Sequence, residues 1–191
     1  LTRMRLQLAM MTDNADTKAI SSDISEMEEM IGGYLAFAAR AGDEAPQELA
    51  VDDVLSRLVA QAHKSHKFDI TLSPVKDDIP AFPMRRNAIQ RAFSNIISNA
   101  IRYSTKTIVA IRIRNDEVII TFDDDGAGIP QERRADAIRP FIRLEESRNR
   151  RTGGAGLGLS ITSDVILSHG GELTLGDSPL GGLRVAIKLP V

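Results

Sequence analysis

Asn95 and Asn99 stand one helical turn apart in the stretch from Arg91 to Tyr103, with Arg91 and Arg102 on the same face. Asn is a poor helix-interior residue because its short amide competes for nearby backbone groups. Two of them in register therefore call for a reason. A carboxamide oxygen is a hard, neutral ligand that suits Mg²⁺, and guanidinium groups beside it suit phosphate. An ordinary solvated face has the same look, and this helix alone does not separate the two readings. Two later stretches bear on the choice. Phe122-Asp123-Asp124-Asp125-Gly126-Ala127-Gly128-Ile129-Pro130 follows a strand-like run and carries two glycines beyond its carboxylates. Gly153-Gly154-Ala155-Gly156-Leu157-Gly158-Leu159-Ser160-Ile161 opens a helix-like run. Backbone N–H groups at a helix N-terminus bind anions, and glycine lets a phosphate come close.

The elements that must position these residues are legible from periodicity. Ile89, Phe93, Ile96 and Ala100 recur at helical spacing, with Ile97 and Ile101 beside them, so the Asn-bearing helix has an apolar stripe to bury. Val51, Val54, Leu55, Leu58, Val59 and Ala62 predict a second amphipathic helix, with Asp52 and Asp53 favourably placed for its dipole. His63 and His66 end it. Two His without a third ligand are weak evidence for a metal, and interaction with the helix C-terminus is the simpler reading. Phe68 to Leu72 alternates like a strand, and Asp77 to Pro83 reads as a loop. Thr107 to Ile113 and Glu117 to Phe122 predict two strands joined at Asn115-Asp116. Ile161, Val165, Ile166 and His169 continue the glycine-led helix to a stop at Gly170-Gly171. Glu172 to Leu175 and Leu183 to Leu189 then predict closing strands around a turn at Gly181-Gly182. The fold class is an α+β sandwich, a mixed sheet covered on one face by helices.

Composition narrows the classes. The chain has 191 residues, with 24 basic and 26 acidic, so net charge makes no case for nucleic acid. It has no Cys, which excludes a disulfide scaffold, a thiolate metal site and a Cys nucleophile. No apolar run is long enough to span a bilayer. The first residue is Leu, and the chain reads as a piece of a longer protein.

Ahead of the sandwich, residues 1–41 predict a helical hairpin. Leu1, Met4, Leu8 and Met11 form one seam, and Ile20, Ile24, Met27, Ile31, Tyr34 and Ala38 form another. A lone hairpin cannot bury that seam, whereas pairing with a second copy into a four-helix bundle would, so a homodimer is expected. The methionines read as core filler. Residues 42–48, with Gly42 and Pro46, have linker chemistry, which leaves 49–191 as the second domain.

An Asn-bearing helix, then Asp-x-Gly-x-Gly, then Gly-x-Gly-Leu-Gly-Leu, in this order, resembles the ATP-binding domain of sensor histidine kinases. That domain belongs to the superfamily of gyrase, the heat-shock-90 chaperones and the mismatch-repair ATPases. The hairpin, through Leu-Thr-Arg-Met-Arg-Leu, resembles the segment after the phosphoacceptor motif of EnvZ-type kinases. The family's phosphoacceptor His, and the neighbouring Thr used for phosphatase activity, would precede Leu1, so this chain is not expected to phosphorylate itself. The resemblance implies ATP and Mg²⁺ as cofactors. It implies Asn99 as metal ligand with Asn95 assisting, and Arg102 and Arg143 near phosphate. Asp124 would meet the adenine amino group, and Tyr103 would pack near the nucleotide. Gly126, Gly128, Ile129, Gly154, Gly156, Leu157, Gly158 and Leu159 would complete the walls. The Arg-rich run from Gln131 to Thr152, containing Pro140-Phe141-Ile142-Arg143, reads as a lid over a triphosphate, or else as a solvated loop or docking surface. Implied partners are a second copy and a response-regulator receiver domain, with the parent anchored in the inner membrane and this portion cytoplasmic.

Asn95 selects among chemistries. In hydrolysing members of that superfamily a Glu holds this place and activates water, and an amide cannot take a proton near neutral pH. Transfer to a nucleophile with its own lone pair, such as a neutral imidazole, is favoured over hydrolysis. The alternatives are a superfamily ATPase that switches shape with nucleotide, and a non-catalytic dimeric docking module. No P-loop motif and no eukaryotic kinase motif set occurs.

Overall fold

The computed structural model describes residues 44–66, 68–75, 78–140, 142 and 156–191, with single positions at 17, 20, 21 and 24. The helical hairpin expected over 1–41 lies outside the described residues, apart from those four positions. So do Arg143, Gly154 and half of the expected lid.

The described residues build a five-stranded mixed sheet, with strand β2 (Asp69–Leu72), β4 (Lys106–Arg114), β5 (Glu117–Asp124), β7 (Leu183–Pro190) and β6 (Glu172–Asp177) in that spatial order. β2 runs parallel to β4, and the other pairs are antiparallel. β4 and β5 meet in a two-residue hairpin at Asn115 and Asp116, with φ of 53° and 58°. Asn and Asp tolerate this left-handed geometry better than most residues, and it matches the strands' twist. Helices α1 (Val51–His66) and α2 (Arg86–Tyr103) bury their apolar stripes in the core. In the core, Phe93 of α2 meets Phe122 of β5 with ring centroids 5.9 Å apart. Ile89, Phe93, Ile120 and Ile187 are fully buried there. The short helix α3 (Arg134–Ala137) follows β5, and α4 (Gly158–Leu167) packs beside α2.

Two boundaries differ from the sequence reading. Gln47 and Glu48, placed in the linker, belong to strand β1 (Gln47–Leu49), which pairs antiparallel with β3 (Phe82–Met84). Phe82 and Pro83, read as loop, are therefore strand. Pro83 hides strand character in sequence because it donates no ladder hydrogen bond, and a two-stranded ribbon tolerates it. Glu44 is also fixed. Its carboxylate accepts from the backbone N–H groups of Asn87 (2.8 Å) and Ala88 (3.2 Å). Those are the orphan donors of the first turn of α2, whose own N-cap, Arg85, offers no side-chain cap.

Candidate functional site

The Asn face of α2 and the N-terminus of α4 meet at their polar edges. Asn95 Nδ2 donates to the carbonyl of Gly158 at 3.3 Å. A Cβ on Gly158 would sit 3.5 Å from Asn99 Nδ2 and 3.7 Å from its Oδ1. The first turn of α4 at Gly158 thus lies in ordinary van der Waals reach of both asparagines. Thr162 lies between the same helices, its single hydroxyl proton shared between Gly158 O (2.8 Å) and the more distant Ala92 O (3.3 Å). The N-cap of α4, Leu157, makes no side-chain cap hydrogen bond, and the leading N–H groups of a helix can donate to an anion. Gly156, at φ +65°, turns the chain into that helix.

Beneath this junction lies a small, mainly apolar cleft. Ile96 and Ala100 of α2, Phe122 of β5, Leu159 of α4, and Leu183 and Val185 of β7 give it apolar walls. Three polar residues line it too, namely Asn99, Asp124 and Thr107.

Asp124 is held by the turn between β6 and β7. Its Oδ1 accepts from Gly126 N and Leu183 N, both at 2.9 Å. Gly182 makes the approach possible, since a Cβ there would collide with Asp124 Oδ1 and Gly126 N. With Oδ1 committed to two backbone donors, the orientation of the carboxylate is set and Oδ2 remains as an acceptor. Gly126 itself packs so closely that a Cβ would lie 2.5 Å from the carbonyl of Tyr103. These contacts answer why glycines follow the carboxylates.

The neighbouring acids have other work. Asp125 accepts from Thr105 Oγ1 (2.6 Å), Thr105 N (2.8 Å) and Lys106 N (2.8 Å), stapling the loop after β5 to the end of α2. The Thr105 hydroxyl first, then the two backbone donors, hold its pKa at about 2. Asp123 points to the other side of the sheet and takes a two-pronged pair from Arg184 (2.6 and 2.9 Å), which raises the arginine's pKa. His169 joins the far end of α4 to the start of α2. Arg85 N–H donates to its Nε2 (3.0 Å), so Nδ1 carries the proton and donates to Val165 O (2.7 Å). Burial is the main cause that lowers its pKa. The expected cap-region role of His169 is thus joined by a bridge to another element. His63 reaches the carbonyl of Phe68, beyond its helix, at 3.2 Å. Among the described residues no three His, Cys, Asp or Glu group to hold a metal.

The structure brings together Asn95, Asn99, Asp124, Gly126, Gly158 and Leu159 at this junction, and buries Leu157 just before α4. Arg102 and Tyr103 lie outside the pocket lining, exposed at the end of α2, with the guanidinium 6.0 Å from the ring centroid. Gly128, at φ +69°, packs on Gly182 instead of on the pocket, and the Ile129 carbonyl accepts from Arg134 Nε at 3.0 Å. Arg134, assigned to the lid on sequence, is tied to Ile129 and to Asp177. Thr107, Gly182, Leu183 and Asp125 were not anticipated. Only Thr107, a hydroxyl in an otherwise aliphatic alternation, left a trace in the sequence.

Residues 84–191 match the family model described as histidine kinase-, DNA gyrase B- and HSP90-like ATPase. The whole chain aligns with the sensor histidine kinase CpxA of Escherichia coli (strain K12), 33% identical over 202 aligned residues and covering 44% of that protein. It aligns equally with the sensor protein RstB of the same strain, 33% identical over 200 residues and covering 46% of it. Among solved structures, the ATP binding domain of PrrB from Mycobacterium tuberculosis superposes with a TM-score of 0.62 at 26% identity. That match covers 78% of this chain and 97% of the other. The chain thus spans less than half the length of the curated relatives it matches.

Proposed function

The chain belongs to the histidine kinase-, DNA gyrase B- and HSP90-like ATPase family, and from that premise we propose that it is the ATP-binding kinase portion of a two-component sensor histidine kinase. The observation that carries the reading is Asp124, a carboxylate with one oxygen locked by backbone and the other left as acceptor at a mainly apolar pocket. The adenine amino group is the donor it would take. The triphosphate would then extend toward the junction of α2 and α4, where the N–H groups of the first turn of α4 attract anions.

The donor set there fits Mg²⁺. Asn95, fixed through its Nδ2, keeps its amide oxygen for another partner, and Asn99 adds a second hard oxygen across from Gly158. Bound Mg²⁺ would supply charge neutralisation on the phosphate oxygens. The residues of the chain do the rest by position. Asp124 orients the base, α4 holds the anion, and Asn95, having no proton affinity near neutral pH, does not activate water. Transfer to an imidazole needs in-line placement and no base on this chain. The acceptor His would lie in a segment preceding Leu1, on a hairpin that pairs with a second copy into a four-helix bundle. The phosphoryl group would pass from there to an Asp of a response-regulator receiver domain. The parent would be membrane-anchored with this portion cytoplasmic, and among the described residues no helix is long and apolar enough to cross a membrane. Arg143 and Arg102 would reach the phosphates from the lid and the end of α2. Titration with ATP, with and without Mg²⁺, tests the site. Saturable binding that Mg²⁺ strengthens supports it, and no binding in either condition refutes it.

A further inference from the structure

Thr107 is out of place on its strand. The inward positions of β4 run Thr107, Val109, Ile111, and facing them on β5 are Asp124, Phe122 and Ile120. Val would pack at the first of these as well as Thr does, and would hide no polar atom. Thr107 is instead fully buried, and its hydroxyl has no hydrogen-bond partner among the described residues. A hydroxyl sealed from water without a partner costs free energy, so a native one calls for an explanation. The explanation lies beside it. Thr107 lines the apolar pocket, and it is the cross-strand partner of Asp124. Paired residues on one face of a sheet stand side by side, with Cβ atoms about 4.5–5.5 Å apart.

We propose that Thr107 is a specificity-determining residue whose hydroxyl donates to ring nitrogen N1 of the bound purine, next to the amino group held by Asp124. This inference rests on the nucleotide reading above and adds a second polar contact to it. The two residues present an acceptor and a donor abreast, since Asp124 Oδ2 can only accept and Thr107 Oγ1 has its proton unspent. A 6-aminopurine offers the complement on one edge, a donor at the amino group and an acceptor at the adjacent N1. The rest of the pocket, with Ile96, Ala100, Leu159 and Val185, grips the ring faces without regard to identity. A base that lacked N1 would leave the Thr107 hydroxyl buried and unpaired in the complex.

The test uses the full chain, Mg-ATP and 1-deaza-ATP, in which a C–H replaces N1. Wild type should bind ATP about five- to tenfold more tightly than 1-deaza-ATP, the usual scale of one neutral hydrogen bond. Thr107→Val, which keeps the shape and removes the hydroxyl, should bind the two nucleotides equally, with ATP weakened to the 1-deaza level. Thr107→Ser should restore the preference for ATP. Without nucleotide, Thr107→Val should melt no lower than wild type, because it removes an unpaired polar group and no packing. Equal binding of the two nucleotides by wild type overturns the proposal, whatever the variants do. So does a preference that survives in Thr107→Val. Failure of wild type to bind either nucleotide refutes the nucleotide site itself, a result distinct from loss of the Thr107 contact alone.

Discussion

Replacing Asp124 with Asn changes one thing at the pocket and leaves the scaffold in place. The Asn oxygen can still accept from Gly126 N and Leu183 N, the two 2.9 Å contacts that orient the carboxylate. The reversed amide would set its NH₂ against those two donors, so only one orientation is stable. The cost to folding is therefore on the order of 1 kcal/mol, that of weakening acceptors without losing them. At Oδ2 the change is larger, because an acceptor becomes a donor. ATP then loses a charge-assisted hydrogen bond and faces donor to donor in a water-poor pocket. Together these weaken binding by about 2–4 kcal/mol, or roughly 30- to 1,000-fold. ITP carries a carbonyl where ATP carries the amino group, and the amide introduced by Asp124→Asn would donate to it. The variant should thus reverse the ATP-over-ITP preference of the wild type. Competition against a fluorescent nucleotide, alongside a melting curve, measures both effects. ATP affinity within about threefold of wild type in a variant that melts normally would refute the assignment of Asp124.

Other consequences are equally concrete. Asn99→Ala should weaken nucleotide binding at least roughly tenfold in the presence of Mg²⁺ and little in its absence. Equal losses in both conditions would remove Asn99 from the metal. Gly182→Ala should cost about 1–3 kcal/mol of stability and also displace Asp124, since its Cβ would meet the Asp124 carboxylate and the Gly126 backbone. A variant that melts and binds ATP like wild type would contradict that packing. His169 is bound neutral, with a pKa below its ordinary 6.5, so its contribution to stability is present above that value and fades as pH falls through the lowered one. Melting temperature against pH should show this step in wild type, and His169→Gln, which cannot titrate, should lack it. The Asp125 carboxylate contributes above its ordinary 3.8 and is lost as pH falls through about 2, so Asp125→Asn should flatten the acid limb of the same profile.

Legibility in the sequence followed the range of the interaction. The stripe on α2, the alternation on β4 and β5, and the Asn115-Asp116 turn are local patterns, and each appears where periodicity and turn chemistry place it. Motif order brought Asn95, Asn99, Asp124 and Gly158 into one reading, and they do converge. Contacts between distant segments left no local signature. Glu44 caps a helix that begins 42 residues later, Leu183 N holds a carboxylate 59 residues earlier, and Arg134 is spent on Ile129 and Asp177. Charge alone counted Arg134 among the lid residues, because sequence does not show which arginines already have partners. β3 was hidden by Pro83, and Thr107 showed only as one hydroxyl among the aliphatic inward positions of β4.

The central claim is that this chain moves a phosphoryl group to a histidine it does not carry. The chain can be mixed with Mg²⁺, γ-labelled ATP and a separately made helical hairpin bearing a sensor-kinase phosphoacceptor His segment, and label on the hairpin counted together with free phosphate. The account predicts acid-labile label on the hairpin and little free phosphate, both lost in Asp124→Asn. Steady release of free phosphate by a nucleotide-bound chain, with the hairpin unlabelled, would contradict it.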